Sequence, residues 1–324
     1  MLDVRRLRLL RELALRGTIA AVADALAFSP SAVSQQLSAL EREAGVPLLE
    51  RTGRRVVLTP AGHQLVDHAA AVLERLEQAA ADLAASREGP AGPVRIGVFP
   101  TAARALVPAA LAELAREHPK LEPMVREVDP AAVGDALRAS ELDVALIHDY
   151  DFVPYLAEPG LTTEPLCVEA LYLATAALAL PAEEREGPTI SGCEDASWIT
   201  ATPGTLCHTM TVRACHAAGF RPRIRHQVDD FATVLDLVAS GQGVALVPQL
   251  GAADPPGAVR LTRVPIHRHT RIAVRSGAGT HPAVAAAAAA LRATVPGTLC
   301  SADQRGADAP EPPDGTDGAG RPSA

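Results

Sequence analysis

The chain has 324 residues, 48% of them hydrophobic, and a formal net charge of -8. This length favours two or three domains, and the apolar content excludes a wholly disordered chain. The negative total excludes a protein that coats nucleic acid with its whole surface, although a local basic face remains possible. The first sixty residues form such a region, with nine arginines and six carboxylates. We therefore expect any nucleic-acid interface to lie near the N-terminus.

Several classes of protein are disfavoured by what the sequence lacks. No apolar run of about eighteen residues is present, so we expect no membrane span. Residues 1–6 interleave charge with leucine and lack an apolar signal core, which predicts a cytoplasmic protein. The sequence has no GxSxG, HExxH or GxxxxGK[ST] motif, so we expect neither an enzyme nor a cofactor or metal. The five cysteines, at positions 167, 193, 207, 215 and 300, form no CxxC pair and indicate reduced thiols.

Two short helices in close succession are predicted near the N-terminus. Thr18 is the expected cap of a helix over residues 19–26, and Ser29 followed by Pro30 predicts the start of a second helix that stops at Gly45. Such a pair forms a helix-turn-helix, whose second helix enters the major groove of DNA. A turn at Thr52-Gly53 and a β-like run over residues 54–58 predict a basic wing. We expect DNA contacts from Thr18, Ser29, Pro30, Ser31, Ala32, Ser34, Gln35, Arg51, Arg54 and Arg55.

A long alanine-rich helix is predicted over residues 60–88, before a glycine- and proline-rich break at 89–93. Six apolar residues of this helix step by alternating fours and threes and therefore share one stripe. They are Leu65, Ala69, Val72, Leu76, Ala79 and Leu83. A narrow stripe of this kind is typical of coiled-coil pairing, so we expect dimerisation through it. The alternative is that the helix lies on its own domain.

Residues 94–300 alternate short apolar strands with helices, a pattern typical of an α/β domain with a largely parallel sheet. Thr101 falls where a strand ends and a helix begins, and residues 202–205 repeat this arrangement. Helix N-termini at the carboxyl edge of such a sheet favour ligand binding. From local position alone, His148 and Arg104 are further candidates for a ligand site.

A set of motifs in the N-terminal region resembles the LysR-type transcriptional regulators. The motifs are Ala23-Asp24-Ala25-Leu26, Ser29, residues 31–37 (SAVSQQL), Leu40-Glu41, residues 45–51 (GVPLLER) and residues 58–62 (LTPAG). The resemblance implies a winged helix-turn-helix, a long linker helix and a two-lobed α/β effector domain similar to periplasmic binding proteins. Two positions depart from the family pattern, since Pro30 stands where many members have glutamine and Gln35 where many have arginine.

The resemblance also implies a domain organisation and a site. The domains are 1–59 for DNA binding, 60–88 for the linker, 94–300 for the effector domain (lobe I 94–163 and 267–294, lobe II 164–266) and 301–324, whose composition predicts a disordered tail. The implied effector site lies between the lobes and is lined by Thr101, Ala102, Thr202, Thr205, Phe231 and Val247. The expected partners are double-stranded DNA, a small-molecule effector, further copies in a homodimer or homotetramer, and RNA polymerase, with no membrane.

Other interpretations stay open beside this one. A solute-binding protein would share the two-lobed domain but would need an export signal, and an enzyme would need a catalytic constellation that we cannot assemble. A peroxide-sensing branch of the family carries redox cysteines in the region of Cys207 and Cys215. The spacing differs here, and eight residues along a helix span about 12 Å, so a disulfide would require unwinding. His267 and His269 share one face of a predicted strand, which favours a solvated face over a metal pair.

Overall fold

The computed structural model describes residues 1–52, 55–87, 89–177 and 188–301. The N-terminal domain consists of three helices and a two-stranded hairpin. Its elements are α1 (Val4–Arg16), α2 (Ile19–Ala25), α3 (Pro30–Ala44), β1 (Leu49–Thr52) and β2 (Arg55–Leu58). The antiparallel strands β1 and β2 form the wing, of which the sequence predicted only the second strand. Gly53 and Arg54, which follow β1 in the sequence, lie outside the described residues.

The helices of the N-terminal domain start at side-chain caps. The Oγ1 of Thr18 accepts a hydrogen bond from the backbone N–H of Ala21 at 3.1 Å, and the Oγ of Ser29 accepts one from Ala32 at 3.2 Å. Gly45 ends α3 with a φ of +70°, in the left-handed region that favours glycine. These caps explain why α2 and α3 begin where the sequence predicts them.

The long helix α4 (Pro60–Ala85) begins at the cap residue Thr59. Its apolar stripe divides into two parts. Leu65 and Ala69 pack on the core of the N-terminal domain, with Ala69 fully buried. Val72, Leu76 and Leu83 are 40%, 48% and 72% exposed. Packing on its own domain therefore accounts for the first part of the stripe only.

The second half of the chain is a mixed α/β domain. Its first elements are β3 (Gly92–Val98), α5 (Pro100–Glu117), β4 (Leu121–Glu127), α6 (Pro130–Arg138), β5 (Val144–Tyr150) and β6 (Leu161–Ala176). They are followed by β7 (Ser197–Thr200), α7 (Leu206–Ala217), β8 (Arg223–Gln227), α8 (Phe231–Ala239), β9 (Ala245–Pro248), β10 (Val259–Arg275), α9 (Pro282–Ala293) and β11 (Cys300–Ser301). We call the half with β3–β5 and α9 lobe I, and the half with β7–β9 lobe II.

The main sheet has the strand order β11-β6-β10-β5-β3-β4, with β9 pairing on β6. Its strand β3 runs parallel to β4 and β5, whereas β10 is antiparallel to β5 and β6. The expectation of a largely parallel sheet is therefore corrected to a mixed sheet. The physical reason is that β6 and β10 are long strands that carry the chain between the lobes in opposite directions.

The strands β6 and β10 extend through both lobes. The later part of β10 pairs with β5 in lobe I, from Arg268 opposite Tyr150 onwards. The later part of β6 pairs with β9 in lobe II, with Leu171 opposite Pro248. The register between β6 and β10 shifts between Val264 and His267, at the passage from one lobe to the other. The lobe boundaries drawn from the sequence stay predictions.

Two expectations about the chain as a whole concern membranes and the C-terminal tail. Across the described ranges, no helix is both long and apolar enough to cross a membrane. The predicted tail begins at residue 301, but Ser301 pairs with Cys167 in β11. Residues 302–324 lie outside the described residues.

Candidate DNA-binding surface and ligand cleft

One face of α3 is buried and the other is polar and open to solvent. Val33 and Leu37 are 1% exposed and pack in the N-terminal core. Ser31 and Gln35 are exposed on the opposite face. Two other residues expected to face outward, Ala32 and Ser34, are half-buried. The polar face of α3 therefore has the form of a recognition helix, with its apolar residues committed to the core.

The remaining expected DNA contacts have more varied surroundings. Pro30 is exposed at the first turn of α3, whose N-terminal N–H groups favour a phosphate. The side-chain oxygens of Thr18 and Ser29 are engaged as helix caps. Arg51 is exposed on β1, and the backbone of Arg55 belongs to β2. Arg54 lies outside the described residues.

Sequence reasoning missed a polar link between α1 and α3. The Nε of Arg6 donates to the side-chain oxygen of Gln36 at 2.9 Å, and a nitrogen of the same guanidinium pairs with Glu43. Arg6 is therefore a positioning residue for α3 rather than one of the free cations of this surface. The cross-helix pairing has no local sequence signal, because 30 residues or more separate the partners.

A cleft of about 400 Å³ separates the lobes and contains the first turns of α5, α7 and α8. Four of the six residues expected from the family resemblance line it: Thr101, Thr202, Thr205 and Phe231. The two candidates chosen from local position, His148 and Arg104, also line it. These six lining residues are up to 130 positions apart in the sequence.

Ala102 and Val247 do not line this cleft. Ala102 follows Thr101 on α5, where one helical step turns its side chain into the core of lobe I. Val247 is fully buried in β9 and packs in the core of lobe II. Both are 0% exposed, so their expected role as lining residues is corrected to a role in packing.

The floor of the cleft holds a buried ion pair that sequence reasoning missed. Arg268 is 1% exposed, and its Nε donates to the Oε1 of Glu169 at 2.6 Å. Its Nη2 donates to the Oγ1 of Thr101 at 2.9 Å. Although burial opposes the charge, Glu169 raises the pKa of the Arg268 guanidinium above its ordinary value. Arg268 therefore connects β6, β10 and the start of α5 beneath the cleft.

His148 lies beside this pair with its ring edge-on to two aromatic rings. Its ring centroid is 4.6 Å from that of Phe99 and 5.3 Å from that of Tyr150. Among the described residues, neither ring nitrogen has a hydrogen-bond partner. Burial, together with Arg268, lowers the pKa of His148 well below 6.5, so the ring is neutral at physiological pH. It retains one unused donor and one unused acceptor.

The rim of the cleft is acidic. Asp229 accepts hydrogen bonds from the backbone N–H of Thr202 at 2.8 Å and from its hydroxyl. Asp230 caps α8 through Thr233, and these hydrogen bonds lower its pKa. Asp129, in lobe I, also lines the cleft. Asp229 and Asp230 therefore hold the helix starts of lobe II in place and contribute negative charge at the entrance.

The thiols of α7 are poorly suited to oxidation. The Sγ of Cys207 lies 3.0 Å from the Tyr150 hydroxyl, and burial raises the pKa of Cys207. Burial raises the pKa of Cys215 to about 12. Since the thiolate is the form that reacts with peroxide, both residues are held in their unreactive form at neutral pH.

His267 and His269 share one face of β10, as the sequence predicts, and both contact Asp151. The Nδ1 of His267 is 3.1 Å from one carboxylate oxygen, and the Nε2 of His269 is 2.5 Å from the other. In the part of the chain that the structure describes, no group of three or more ligating residues is arranged to hold a metal.

A winged helix-turn-helix joined by a long helix to a two-lobed domain with a ligand cleft defines a ligand-responsive DNA-binding regulator. Residues 4–63 match the family model for the bacterial regulatory helix-turn-helix protein, lysR family, and residues 87–296 match the LysR substrate binding domain. The chain belongs to the LysR family of transcription regulators.

Individual relatives agree with this assignment. The chain is 33% identical over 228 residues to a probable hydrogen peroxide-inducible genes activator of Mycobacterium avium, covering 70% of this chain and 71% of that protein. It is 32% identical over 262 residues to the HTH-type transcriptional regulator TfdS of Cupriavidus pinatubonensis, covering 78% and 84%. These relatives are named as regulators and not as enzymes.

Solved structures share the fold. Full-length OxyR from Pseudomonas aeruginosa, solved as a point variant, has a TM-score of 0.57 at 25% identity, over 90% of this chain and 95% of that one. Full-length CbnR complexed with its target DNA has a TM-score of 0.52 at 22% identity, over 91% and 100%.

Proposed function

We propose that this chain binds a specific double-stranded DNA sequence through α3 and the wing, and that a small molecule in the cleft between the lobes controls this binding. The protein acts by binding rather than by catalysis, and it acts in the cytoplasm. The observation that carries the proposal is the division of α3 into a buried apolar face and an exposed polar face, with Gln35 on the exposed one.

Base recognition centres on Gln35 in this proposal. A glutamine side chain can pair with both hydrogen-bonding positions of adenine in the major groove. The hydroxyl of Ser31 and the N-terminus of α3 at Pro30 supply contacts to phosphates, which fix the position of the helix. Arg51 and Arg55 of the wing supply cationic contacts to the DNA backbone. Ser29 and Thr18 act through helix capping and through their exposure at the same surface.

The effector site in this proposal is the cleft lined by Thr101, Thr202, Thr205 and Phe231. Thr101 and Thr205 lie at the starts of α5 and α7, where backbone N–H groups favour a polar or anionic ligand. The hydroxyls of Thr101, Thr202 and Thr205 already make hydrogen bonds within the protein. Neutral His148 in the floor offers a hydrogen-bond donor and acceptor to a molecule that closes the lobes. Closing the lobes changes how the linked DNA-binding domains are arranged, and therefore how the DNA is held.

Self-association follows from the exposed part of the α4 stripe. Val72, Leu76 and Leu83 are apolar and open to solvent, and a second copy of α4 would cover them. Two recognition helices related by a dyad read an interrupted palindrome, one half-site each. We therefore propose that the protein binds DNA as a homodimer, or as a homotetramer of two such dimers. In this form it would contact RNA polymerase at a promoter.

Redox sensing is the alternative raised by the relative named as a peroxide-inducible activator. Cys207 and Cys215 are eight positions apart on α7, so a disulfide between them requires the helix to unwind. Burial raises the pKa of both thiols. These two observations disfavour control through a disulfide between Cys207 and Cys215.

The test is a titration of the full chain against DNA from the region upstream of its own gene, at several salt concentrations. A Gln35→Ala variant should bind its preferred site about ten- to a hundred-fold more weakly, as expected for loss of one bidentate base contact. A Gln227→Ala variant, altered on an exposed strand of lobe II, is the matched control and should bind normally. If genome-wide selection returned no preferred site for the unmodified protein, the proposal would be overturned.

A further inference from the structure

A second cavity, separate from the cleft, lies where the DNA-binding domain, the linker helix and lobe I meet. It has a volume of about 240 Å³. Its walls come from α1, from α4, and from lobe I around Arg138 and Ser276. The charged residues that line it are Arg8, Arg11, Arg138, Arg275, Glu74 and Glu77. The wall therefore carries four cations and two carboxylates, contributed by three separate parts of the chain.

The carboxylates nearby neutralise some of these arginines. The Nε of Arg275 donates to Glu77 at 2.9 Å. Arg138 donates to Glu158 at 2.9 Å and to Asp135 at 2.6 Å. The positive charge of the lobe I wall is therefore more fully neutralised than that of the α1 wall.

The α1 side of the cavity carries positive charge without full compensation. Arg8 has no ion-pair partner among the described residues, and its guanidinium contacts only the carbonyl oxygen of Arg138. Arg11 is 8% exposed and pairs with Glu12 at 3.1 Å, but its Nε has no hydrogen-bond partner within the described ranges. Burial and the nearby charge of Arg11 lower the pKa of Arg8. Arg8 is half-buried, and the carboxylates of Glu12 and Glu77 act on it without forming an ion pair, so an anion at this wall would gain a direct contact with its guanidinium.

The shape of the groups indicates which anion fits. Guanidinium groups present planar pairs of N–H donors that match the oxygens of a phosphate. A water molecule takes about 30 Å³ of liquid volume, so the cavity has room for a tetrahedral anion together with part of its hydration. We propose that this junction is a binding site for a phosphate dianion, either free inorganic phosphate or the phosphate group of a small monoester.

Such an anion would connect domains that already touch. Arg16 of α1 makes a bidentate pair with Asp135 of lobe I, at 2.9 and 2.6 Å. Arg8 also donates to the carbonyl oxygen of Arg138 across this boundary. A phosphate contacted by Arg8 and Arg11 on one side and Arg138 on the other adds a further connection. Occupancy therefore stabilises the docked arrangement of the DNA-binding domain on lobe I. This second site does not depend on the identity of the effector in the cleft.

The test compares thermal unfolding of the full chain in inorganic phosphate and in sodium chloride of equal ionic strength, together with titration calorimetry. Phosphate should raise the Tm beyond chloride. An Arg8→Gln variant should lose most of this increase and bind phosphate at least ten-fold more weakly. Arg5→Gln is the matched control, because Arg5 is exposed on the same helix and does not line the cavity. An equal response of the two variants, or no response of the unmodified chain beyond chloride, would overturn the proposal.

A second pair of variants tests the site independently, in case the Arg8→Gln variant does not fold. Ala70 of α4 lines the cavity, so an Ala70→Glu side chain can supply the missing negative charge itself. It should raise the Tm in chloride and abolish the response to phosphate, whereas Ala70→Gln should keep that response. Equal responses from these two variants count against the site. Calorimetry with glycerol 3-phosphate distinguishes the two ligands. If it binds more tightly than inorganic phosphate, the site is for a phosphate monoester. If it binds equally or more weakly, the site is for the free anion.

Discussion

Arg268 and Glu169 lie opposite each other on the neighbouring strands β10 and β6, with side chains 1% and 0% exposed. The arginine is thereby held beneath the cleft, where it also donates to Thr101 at the start of α5. This one pair of residues thus joins β6 and β10, which run in opposite directions, to the floor of the ligand cleft.

Removing one partner of this pair should destabilise the protein strongly. Arg268→Leu leaves Glu169 buried without its cation, so we expect the free energy of unfolding to fall by about 3–5 kcal/mol. The double variant Arg268→Leu, Glu169→Leu removes both charges and should recover part of the loss. Urea denaturation of the three proteins measures both effects, and a double variant less stable than Arg268→Leu would contradict this account.

Peroxide should leave Cys207 and Cys215 unlinked. Because burial raises the pKa of both thiols, little thiolate is present at pH 7.5 and alkylation should be slow. Mass spectrometry after treatment with micromolar hydrogen peroxide should find no disulfide between them. Cys207→Ser should keep normal DNA binding in the presence and absence of peroxide. Rapid formation of the disulfide would restore redox sensing as the mode of control.

The contact of Asp151 with two histidines makes part of the stability depend on pH. Burial raises the pKa of Asp151, but hydrogen bonds from His269 and His267 outweigh it and lower the pKa overall. The carboxylate therefore contributes stability above its unfolded-state pKa and loses it as the pH falls through the folded value. Asp151→Asn should flatten the acid side of the stability curve between about pH 5 and 3. Asp254→Asn, at an exposed loop position, should leave the curve unchanged.

The pair Arg16–Asp135 should couple the DNA-binding domain to lobe I. Asp135 is 49% exposed, so solvent screens the pair and we expect a coupling energy of about 1 kcal/mol. A double-mutant cycle of Arg16→Gln and Asp135→Asn, followed by urea denaturation, measures it. Hydrogen exchange of α1 should increase in each single variant. Strictly additive effects of the two substitutions would show that the contact carries no energy.

The exposed part of the α4 stripe should govern self-association. Leu83 is 72% exposed, and Leu83→Glu should shift the protein towards monomer in analytical ultracentrifugation because it places a charge in the seam. Leu156→Glu is the matched control, since Leu156 is 80% exposed in the loop between β5 and β6 and is not part of the α4 stripe. Equal oligomeric states of the two variants would place the interface elsewhere.

The sequence predicted best those elements whose signals are local. Caps such as Thr18 and Ser29 act within three residues, so α2 and α3 were located closely. The lengths of β6 and β10 depend on pairing between segments about 100 residues apart, which no local pattern reveals. The predicted parallel sheet was wrong for that reason.

In the candidate site too, residues with local sequence signals were predicted and residues that depend on long-range pairing were not. Thr101 and Thr205 mark helix starts and were identified from the sequence. The alternation of His267, Arg268 and His269 predicts two histidines on one face, and therefore an arginine on the other. Its partner Glu169 is 99 positions away, and only the register of β6 and β10 brings the two together. Ala102 and Val247 rested on resemblance alone, and local packing places them in the cores.

The passage of β6 and β10 through both lobes has a mechanical consequence. Two hydrogen-bonded strands resist stretching and shear, whereas a twisted ribbon yields more readily to torsion. Register shifts between Val264 and His267 and between Thr270 and Arg271 interrupt the hydrogen-bond ladder of this ribbon. We therefore expect opening and closing of the cleft to be a rotation about the ribbon axis. A ligand that bridges the lobes would then have to twist two paired strands, and would not have to order a flexible linker between the lobes.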